Sequence, residues 1–368
     1  MSERHLATVR SVSAIVTLFD KEGNPAQSVE GVFLDGWFSI VQRGDFKVGD
    51  NVLYLEIDSV LNPELAWVQT YAPFMEKHHW RLKTLKLNSL RLPDENGAPS
   101  PYPPISQGLV LPMQVITDAQ AEKNDAESLD ALLGIEKYER PVKAMSGDAR
   151  GSFPGHIHKT DEERIQNFAE QIGFFMGKPW VATYKMDGSS TTVWLGDEGE
   201  LRIASRTLEL YYDEANYFSK AAMTQPGIKP LLAENPAISA VQGEAIGEGV
   251  QGNPHGVKGH RLVVFNLIDR ASGLPIPYTQ MAALCAQYDI ACVKVHSSGD
   301  SFEMTPKACI ELVSTLIAID YGQIQGKRSK WAEGLVFRLN GDKPQALPNG
   351  ENASFKAINP NYLLDNGE

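Results

Sequence analysis

The chain has 368 residues, about twice the length of a typical single domain, so we expect two domains with separate cores. Apolar residues make up 42% of the sequence and charged residues 22%, which excludes collagen-like and disordered chains. The formal net charge of −12 excludes an overall positive field that would draw the molecule onto nucleic acid or anionic lipid. Any phosphate-binding surface must therefore be local.

Cysteine usage and the N-terminus indicate the compartment. The three cysteines form no CxxC pair, so they suit neither a disulfide framework nor a structural zinc site. The N-terminus lacks the apolar segment of a signal peptide, and no run approaches the roughly 18 apolar residues of a membrane span. We expect a cytoplasmic protein, monomeric, without contact to membranes.

The first region, Leu6 to Met113, consists of short apolar runs separated by turn signals. GVFLDGWFSIV and NVLYLEI flank a turn at residues 47–50, and ISQGLVLPM closes the region as another strand. This pattern predicts a small β-barrel over 1–116, then a polar connector over 117–150 with one short helix at SLDALLG. The basic segment His78–Lys86 predicts either a groove that binds phosphates or the solvated face of a strand.

The second region, 151–368, opens with the signals of a helix. Thr160 is the predicted N-cap, Glu163 follows three residues later, and apolar residues on one face continue to Phe175. The first turn of this helix would carry Arg164, where a solvated surface role is as plausible as a functional one.

Three consecutive strands are predicted next, at Trp180–Lys185, TTVWL and LRIASR, as an antiparallel meander. In such a meander Lys185, Asp187 and Arg206 lie at the same edge of the sheet. The lysine fits two interpretations. It is either a solvated residue of a hairpin loop, or a partly desolvated amine with a lowered pKa that attacks a phosphorus or carbonyl centre.

The remainder of the chain favours the second interpretation. In chain order the sequence contains K-x-D-G at Lys185, S-R at Arg206, Q-G-E at Glu244, V-F-N at Phe265, E-G-L-V at Glu333 and F-K at Lys356. These elements resemble motifs I, Ia, III, IIIa, IV and V of covalent nucleotidyltransferases. K-x-D-G alone is weak evidence, whereas six elements in the right order are strong evidence.

The flanking regions distinguish among the members of that superfamily. Twelve residues follow Lys356, so we do not expect the C-terminal OB domain with motif VI of DNA ligases and capping enzymes. The barrel instead precedes the catalytic region, and nearly the whole chain resembles the ATP-dependent RNA ligases of the fifth, Deinococcus-type family. The Pro-rich insertion from Pro93 to Pro104 is the least matched part. The resemblance implies an α+β chain. An N-terminal OB-type barrel, 1–116, would precede a nucleotidyltransferase domain, 151–368, built on antiparallel sheets with flanking helices.

The resemblance also implies the chemistry. Lys185 would attack the α-phosphorus of ATP, the AMP would pass to a 5′-phosphate end, and a 3′-hydroxyl end of RNA in a nicked duplex would then displace AMP. The implied roles are as follows: Asp187, Glu244 and Glu333 organise Mg²⁺ or Mn²⁺, directly or through water; Glu244 also reaches the ribose; Lys356 contacts the α-phosphate; Phe265 stacks on adenine; Arg206 holds the nucleotide or the nucleic-acid end; and Arg164 with Lys159 binds the pyrophosphate side.

One departure and several alternatives accompany this assignment. The motif at Lys356 is usually K-x-K, but here Ser354 stands at the first lysine position. Composition alone would place Phe265 in a plain core strand. The alternative functions are a nucleic-acid-binding OB protein with an inactive nucleotidyltransferase domain, and a DNA ligase or capping-type enzyme with rearranged domains.

Overall fold

The structure, a computed structural model, describes residues 5–122, 128–138, 149–159, 162–168, 171–322 and 328–366. The chain divides into two compact units, Met1–Pro141 with Leu363–Glu368, and Val142–Tyr362. In the described part of the chain no helix is long and apolar enough to cross a membrane.

The first unit is built mainly from short antiparallel strands. The elements are β1 (Ala7–Ser11), β2 (Ala14–Phe19), β3 (Pro25–Leu34), β4 (Trp37–Gln42), β5 (Asn51–Leu55), β6 (Ser59–Val60), α1 (Ala66–Gln69), α2 (Ala72–Met75), β7 (Leu85–Lys86), β8 (Ile105–Ser106), β9 (Leu109–Pro112), α3 (Gln114–Glu122), α4 (Leu129–Leu133) and β10 (Glu136–Lys137). The strands form sheets with the orders β1-β5-β9, β2-β3-β4, β7-β8 and β10-β6.

Alternation of apolar residues explains why these strands enclose a core. Leu34, Trp37, Val52 and Tyr54 are fully buried and belong to one apolar cluster shared by β3, β4 and β5. The short helix expected at SLDALLG is confirmed as α4. Its N-cap Ser128 accepts a hydrogen bond from the Ala131 amide.

One basic residue of the segment His78–Lys86 does not face solvent. Arg81 is buried, donates a hydrogen bond of 2.6 Å to Asp58, and lies 3.7 Å from the centroid of the Tyr138 ring. Its charge is therefore used inside the unit, while Lys86 on β7 stays exposed. The groove interpretation fails for Arg81, because the half-buried Asp58 carboxylate pairs with its guanidinium in place of solvent.

The second unit contains two antiparallel sheets. The elements are β11 (Ala149–Ser152), β12 (Trp180–Lys185), β13 (Ser189–Leu195), β14 (Leu201–Ala204), β15 (Leu208–Leu210), α5 (Tyr217–Met223), α6 (Ile228–Glu234), β16 (Ile238–Gly247), β17 (His260–Asp269), α7 (Tyr278–Gln287), β18 (Val295–Gly299), α8 (Pro306–Ser314), β19 (Gly334–Leu339) and β20 (Ser354–Ile358). A last helix, α9 (Pro360–Asp365), begins in this unit and includes the boundary at Tyr362. The six-stranded sheet has the order β11-β15-β14-β13-β16-β17, and the four-stranded sheet has the order β18-β12-β19-β20.

The helix predicted at the start of this unit is wrong. The described residues contain two 3₁₀ turns instead, Ile165–Asn167 and Ile172–Phe174, and Thr160 lies outside the described residues. The Lys356 amide donates a 2.7 Å hydrogen bond to the carbonyl of Glu163, so this carbonyl is taken by β20 and does not serve a helix. The apolar residues of the pattern are nevertheless buried: Ile165, Phe168, Ile172 and Phe175.

The meander is correct in its last two strands and wrong in its first. β13 and β14 pair as expected, but β12 pairs with β18 and β19, in the other sheet. Residues 186–188 therefore carry the chain from one sheet to the other instead of closing a hairpin. This transition places the end of β12 and the start of β13 where the two sheets meet.

Candidate active site

A lysine and a glutamate form the centre of the site. Lys185 is the last residue of β12 and lies opposite Gly334, the first residue of β19. Glu333 therefore immediately precedes the strand position that faces Lys185, and its Oε1 accepts a 2.6 Å hydrogen bond from Lys185 Nζ. The two side chains are only 26% and 14% exposed. The strand register thus produces a largely desolvated ion pair.

Gly334 lets this ion pair form close to the neighbouring strand. A Cβ at this position would lie 2.1 Å from the carbonyl oxygen of Ala357 on β20. Any side chain there would therefore push β19 away from β20. The glycine that follows Glu333 is required by the packing of the two strands.

Three carboxylates surround the lysine. Burial lowers the pKa of Lys185, but Glu333, Glu244 and Asp187 together raise it above its ordinary value. The prediction of a lowered pKa is therefore wrong for the ligand-free chain, because the carboxylates outweigh desolvation. The resting lysine is an ammonium, and it must lose a proton before it can act as a nucleophile.

Glu244 is the carboxyl group of the site that resists ionisation. Burial, Glu333 and Asp187 raise its pKa to about 8, although Lys185 acts in the opposite direction. Glu244 lies on β16 opposite Ser190. Its side chain packs closely on Gly188, because a Cβ at position 188 would lie 2.9 Å from Glu244 Cγ. The carboxylate is thus held in a place where ionisation is costly without a further cation.

Two residues that were not predicted hold Asp187. Tyr362 donates a 2.5 Å hydrogen bond to Asp187 Oδ2. His255 is hydrogen-bonded to the Asp187 backbone, and burial lowers the pKa of its imidazole, whereas Asp187 raises it. His255 Nε2 is buried and has no hydrogen-bond partner among the described residues. No sequence signal distinguishes Tyr362, whereas His255 lies in the glycine-rich segment that follows Glu244.

Lys356 lies on the same face of the four-stranded sheet as Lys185. Lys356 on β20 is opposite Val336 on β19, and Val336 is opposite Thr183 on β12. Directly opposed residues, and residues two apart along a strand, share a face, so the two lysines point to the same side. The opposite face carries apolar residues of the core: Ala182, Leu335, Phe337, Phe355 and Ala357.

The three other predicted cations are not all brought to this centre. Arg164 is 5% exposed, and its backbone forms a parallel bridge with Lys356, so it reaches the neighbourhood of the site from a strand-like segment. Arg206 is exposed two residues beyond β14, at the edge where β13 begins. Lys159 is exposed in the segment preceding Arg164.

Phe265 is half-buried on β17, so it differs from a plain core residue. It packs against an apolar cluster that includes Met186, the residue after the central lysine. One side of the ring is therefore supported by protein, close to Lys185 in space. Such a ring is suited to stack on a planar base.

The carboxylates fit a divalent cation in their chemistry. No group of three or more acidic, histidine or cysteine side chains among the described residues forms a ready metal cage. The carboxylates of Asp187, Glu244 and Glu333 instead surround the Lys185 ammonium. Oxygen ligands and excess negative charge suit Mg²⁺ or Mn²⁺, which binds through one or two carboxylates, waters and substrate phosphates.

Two family models match the chain, one in each unit. A model for an OB-fold domain matches residues 6–113, and a model for RNA ligase matches residues 178–358. Residues 178–358 form an RNA ligase domain. This domain contains the central lysine, the three carboxylates, Phe265 and Lys356. The predicted order, an N-terminal OB fold followed by a nucleotidyltransferase domain, is confirmed.

Solved structures agree over nearly the full length. A Naegleria gruberi RNA ligase with AMP and Mn, a lysine-to-methionine variant, is 28% identical with a TM-score of 0.77, over 98% of this chain and 99% of that chain. A lysine-to-alanine variant of that ligase with ATP and Mn gives the same identity and TM-score. The same ligase with PPi covers 99% of both chains at 28% identity and a TM-score of 0.77. Comparison with curated proteins gave no match.

These matches bear on the alternatives raised from the sequence. They confirm an enzyme of the RNA ligase type, which forms phosphodiester bonds, and they do not favour a binding protein with an inactive RNA ligase domain. The intact Lys185, Glu244 and Glu333 agree with this result, because an inactive domain has no need of a buried ion pair and two further carboxylates.

Proposed function

We propose that this chain is an ATP-dependent RNA ligase of the fifth, Deinococcus-type family, which joins a 3′-hydroxyl RNA end to a 5′-phosphate end. The observation that carries the proposal is the 2.6 Å contact of Lys185 with Glu333 inside an RNA ligase domain. The similar Naegleria gruberi enzyme has structures with ATP, AMP and PPi; in lysine adenylylation these correspond to the substrate, the transferred group and the leaving group. The three cysteines are free thiols, which suits a cytoplasmic enzyme.

In the first step Lys185 Nζ forms a bond to the α-phosphorus of ATP while the bond to pyrophosphate breaks. Lysine is an ammonium in the ligand-free chain, so one proton must leave Nζ. Glu333 Oε1, at 2.6 Å, is placed to accept that proton. We therefore assign Lys185 as the nucleophile and Glu333 as its base.

The other residues bind and orient the nucleotide. Lys356, on the same sheet face as Lys185, is placed to neutralise the α-phosphate, and Phe265 is placed to stack on adenine. Arg164 with Lys159 is assigned to the pyrophosphate side, and Arg206 to the nucleotide or the nucleic-acid end. Because one phosphoryl bond replaces another, the residues act mainly by positioning and charge neutralisation.

Asp187, Glu244 and Glu333 are the residues that would hold Mg²⁺ or Mn²⁺, directly or through water. When bound, the cation supplies positive charge that offsets the carboxylates and the phosphate oxygens. Tyr362 holds the Asp187 carboxylate through a hydrogen bond, and His255 is hydrogen-bonded to the Asp187 backbone.

In the later steps AMP passes from Lys185 to the 5′-phosphate of one end, and the 3′-hydroxyl of the other end attacks and releases AMP. The OB-fold domain is the part of the chain suited to hold the nucleic-acid backbone, because such folds bind by electrostatics and stacking without reading sequence. We propose that the substrate is a nicked duplex whose 3′-hydroxyl strand ends in ribonucleotides. The protein would recognise the terminal 2′-hydroxyls and the A-form shape that they favour.

The test is a set of nicked duplexes that differ only in the sugars flanking the nick, incubated with the protein, ATP and Mg²⁺ or Mn²⁺. We expect sealing when the 3′-hydroxyl strand ends in RNA, whether the 5′-phosphate strand is RNA or DNA. Equal sealing of all-DNA nicks would contradict an RNA ligase. Lys185→Ala, which lacks the nucleophile, should seal none of these nicks. Lys307→Ala is its matched control, because Lys307 also pairs with a glutamate, but at the surface.

A further inference from the structure

Arg338 is a buried cation on the same sheet face as the two lysines of the site. On β19 it lies two residues after Val336, and in the strand register it is opposite Ser354 on β20 and Val181 on β12. Arg338 is 8% exposed. The lysine expected at the Ser354 position is thus missing, but its cross-strand neighbour is an arginine.

The guanidinium connects the two sheets of the RNA ligase domain. Arg338 Nη1 donates a 2.6 Å hydrogen bond to the backbone carbonyl of Phe265 on β17. β17 belongs to the six-stranded sheet, whereas Arg338 and Lys356 belong to the four-stranded sheet. The hydrogen bond therefore fixes the strand that carries Phe265 relative to the sheet that carries the lysines.

The Glu162 carboxylate also contacts the Arg338 guanidinium. Glu162 Oε1 lies 3.9 Å from Arg338 Nη2, and Glu162 Oε2 accepts a hydrogen bond from the Ser354 hydroxyl. Asn352 in turn donates a 2.7 Å hydrogen bond to Ser354 Oγ. A lysine at position 354 would compete with Arg338 for Glu162, while serine leaves the carboxylate to the arginine.

Stability alone does not account for this arrangement. Burying a guanidinium is costly unless all its N–H groups are paired, and Arg338 Nε has no hydrogen-bond partner among the described residues. Burial also lowers the pKa of Arg338, partly offset by Glu162. Apolar residues of the same volume would serve a purely structural role at least as well.

We propose that Arg338 is a positioning residue for the nucleotide: held by Glu162 and Ser354, it sets the distance between the Phe265 ring and the face that carries Lys185 and Lys356. The inference rests on the proposed function. Arg338 does not touch the reacting atoms in this arrangement, since it acts through the backbone of Phe265.

The test measures ATP binding by calorimetry in a Lys185→Met background, where no adduct forms. If Arg338 acts through Phe265, Arg338→Met weakens ATP binding by about tenfold. In a chain that already carries Phe265→Ala, the same substitution weakens ATP binding by less than about twofold. Arg338→Lys keeps the charge but cannot reach both partners, so its affinity loss should approach that of Arg338→Met. Arg202→Met is the matched control, because Arg202 pairs with Glu209 on β14 and β15.

Several outcomes would overturn the inference. The first is an equal loss of ATP affinity from Arg338→Met with and without Phe265→Ala. The second is wild-type ATP affinity in Arg338→Lys, and the third is a loss of ATP affinity in Arg202→Met equal to that in Arg338→Met. Melting temperatures of all variants identify any that unfold. Ser354→Ala, which removes only the hydrogen bond from Ser354 to Glu162, should weaken ATP binding less than Arg338→Met does. If the native chain forms no AMP adduct, the proposed function fails while this binding comparison stays readable. Absence of ATP binding in the Lys185→Met chain would overturn the inference as well.

Discussion

At the scale of single residues, the site is defined by an imbalance of charge around Lys185. One ammonium faces Glu333, Glu244 and Asp187, and the pKa of Glu244 is raised to about 8 as a result of its burial and its acidic neighbours. The ligand-free site is therefore prepared for additional positive charge. Substrate and divalent cation would complete the charge balance that the protein leaves open.

This imbalance predicts a pH dependence of stability in the ligand-free, metal-free protein. In the unfolded chain Glu244 ionises near its ordinary pKa of 4.5, whereas in the folded chain it holds its proton until about pH 8. Between these values the folded state binds more protons, so the free energy of unfolding falls as pH rises, by up to about 1.4 kcal/mol per pH unit.

Glu244→Gln should remove this slope, because glutamine mimics the protonated carboxyl and does not titrate. The measurement is the free energy of unfolding in urea from pH 5 to pH 8, with EDTA present. Glu209→Gln, in the pair with Arg202 away from the site, is the control and should leave the slope in place. Identical slopes in native protein and Glu244→Gln would show that Glu244 ionises normally.

At the scale of strands and helices, the sequence indicates strands more reliably than their partners. The strands at Lys185, Glu244 and Phe265 were expected and are present, because alternation and turn residues are local signals. The pairing of β12 with β19 was not foreseen, since it joins residues 148 positions apart at the Lys185–Glu333 contact. Local pattern carries no information about such a partner.

The failed helix near Glu163 has the same origin. Its apolar spacing is helical, but the Glu163 carbonyl bonds to β20, a strand almost two hundred residues later in the chain. Tertiary pairing overrides local preference there. The residues Glu162, Arg338 and Tyr362 were missed for this reason: each gains its role from a distant strand or helix.

The close packing of β19 on β20 gives a test at this scale. Gly334→Ala would place a Cβ 2.1 Å from the Ala357 carbonyl oxygen, which forces the strands apart. We expect the variant to lose several kcal/mol of stability, as for other overpacked buried positions, and to lose adenylylation with it. Gly155→Ala is the control, because a Cβ at that position would have no other atom within 4 Å. Equal melting temperatures for the two variants would contradict the strand geometry.

At the scale of the whole molecule, the candidate residues divide cleanly between the units. Every residue assigned to nucleotide chemistry lies in Val142–Tyr362, and the OB-fold match lies in Met1–Pro141. The order of the two folds was predictable, because the barrel pattern and the nucleotidyltransferase motifs occupy separate stretches of sequence.

A fragment of residues 142–368 should therefore still form the AMP adduct, but joining of nicked duplexes should collapse. The first unit is assigned to hold the nucleic acid, and the fragment lacks it. The measurement compares adduct formation and nick sealing by fragment and full chain, with circular dichroism as the check on folding. Equal sealing by a folded fragment would remove the OB-fold domain from the mechanism.

Lys185 is the residue to which we assign the covalent AMP. The most direct test incubates the protein with ATP and Mg²⁺ or Mn²⁺, digests it, and maps the added AMP by mass spectrometry. We expect one AMP on the peptide that contains Lys185, no adduct in Lys185→Ala, and none in Lys185→Arg, whose guanidinium stays protonated and cannot attack. An AMP found on another residue, or labelling that survives Lys185→Ala, would contradict this assignment.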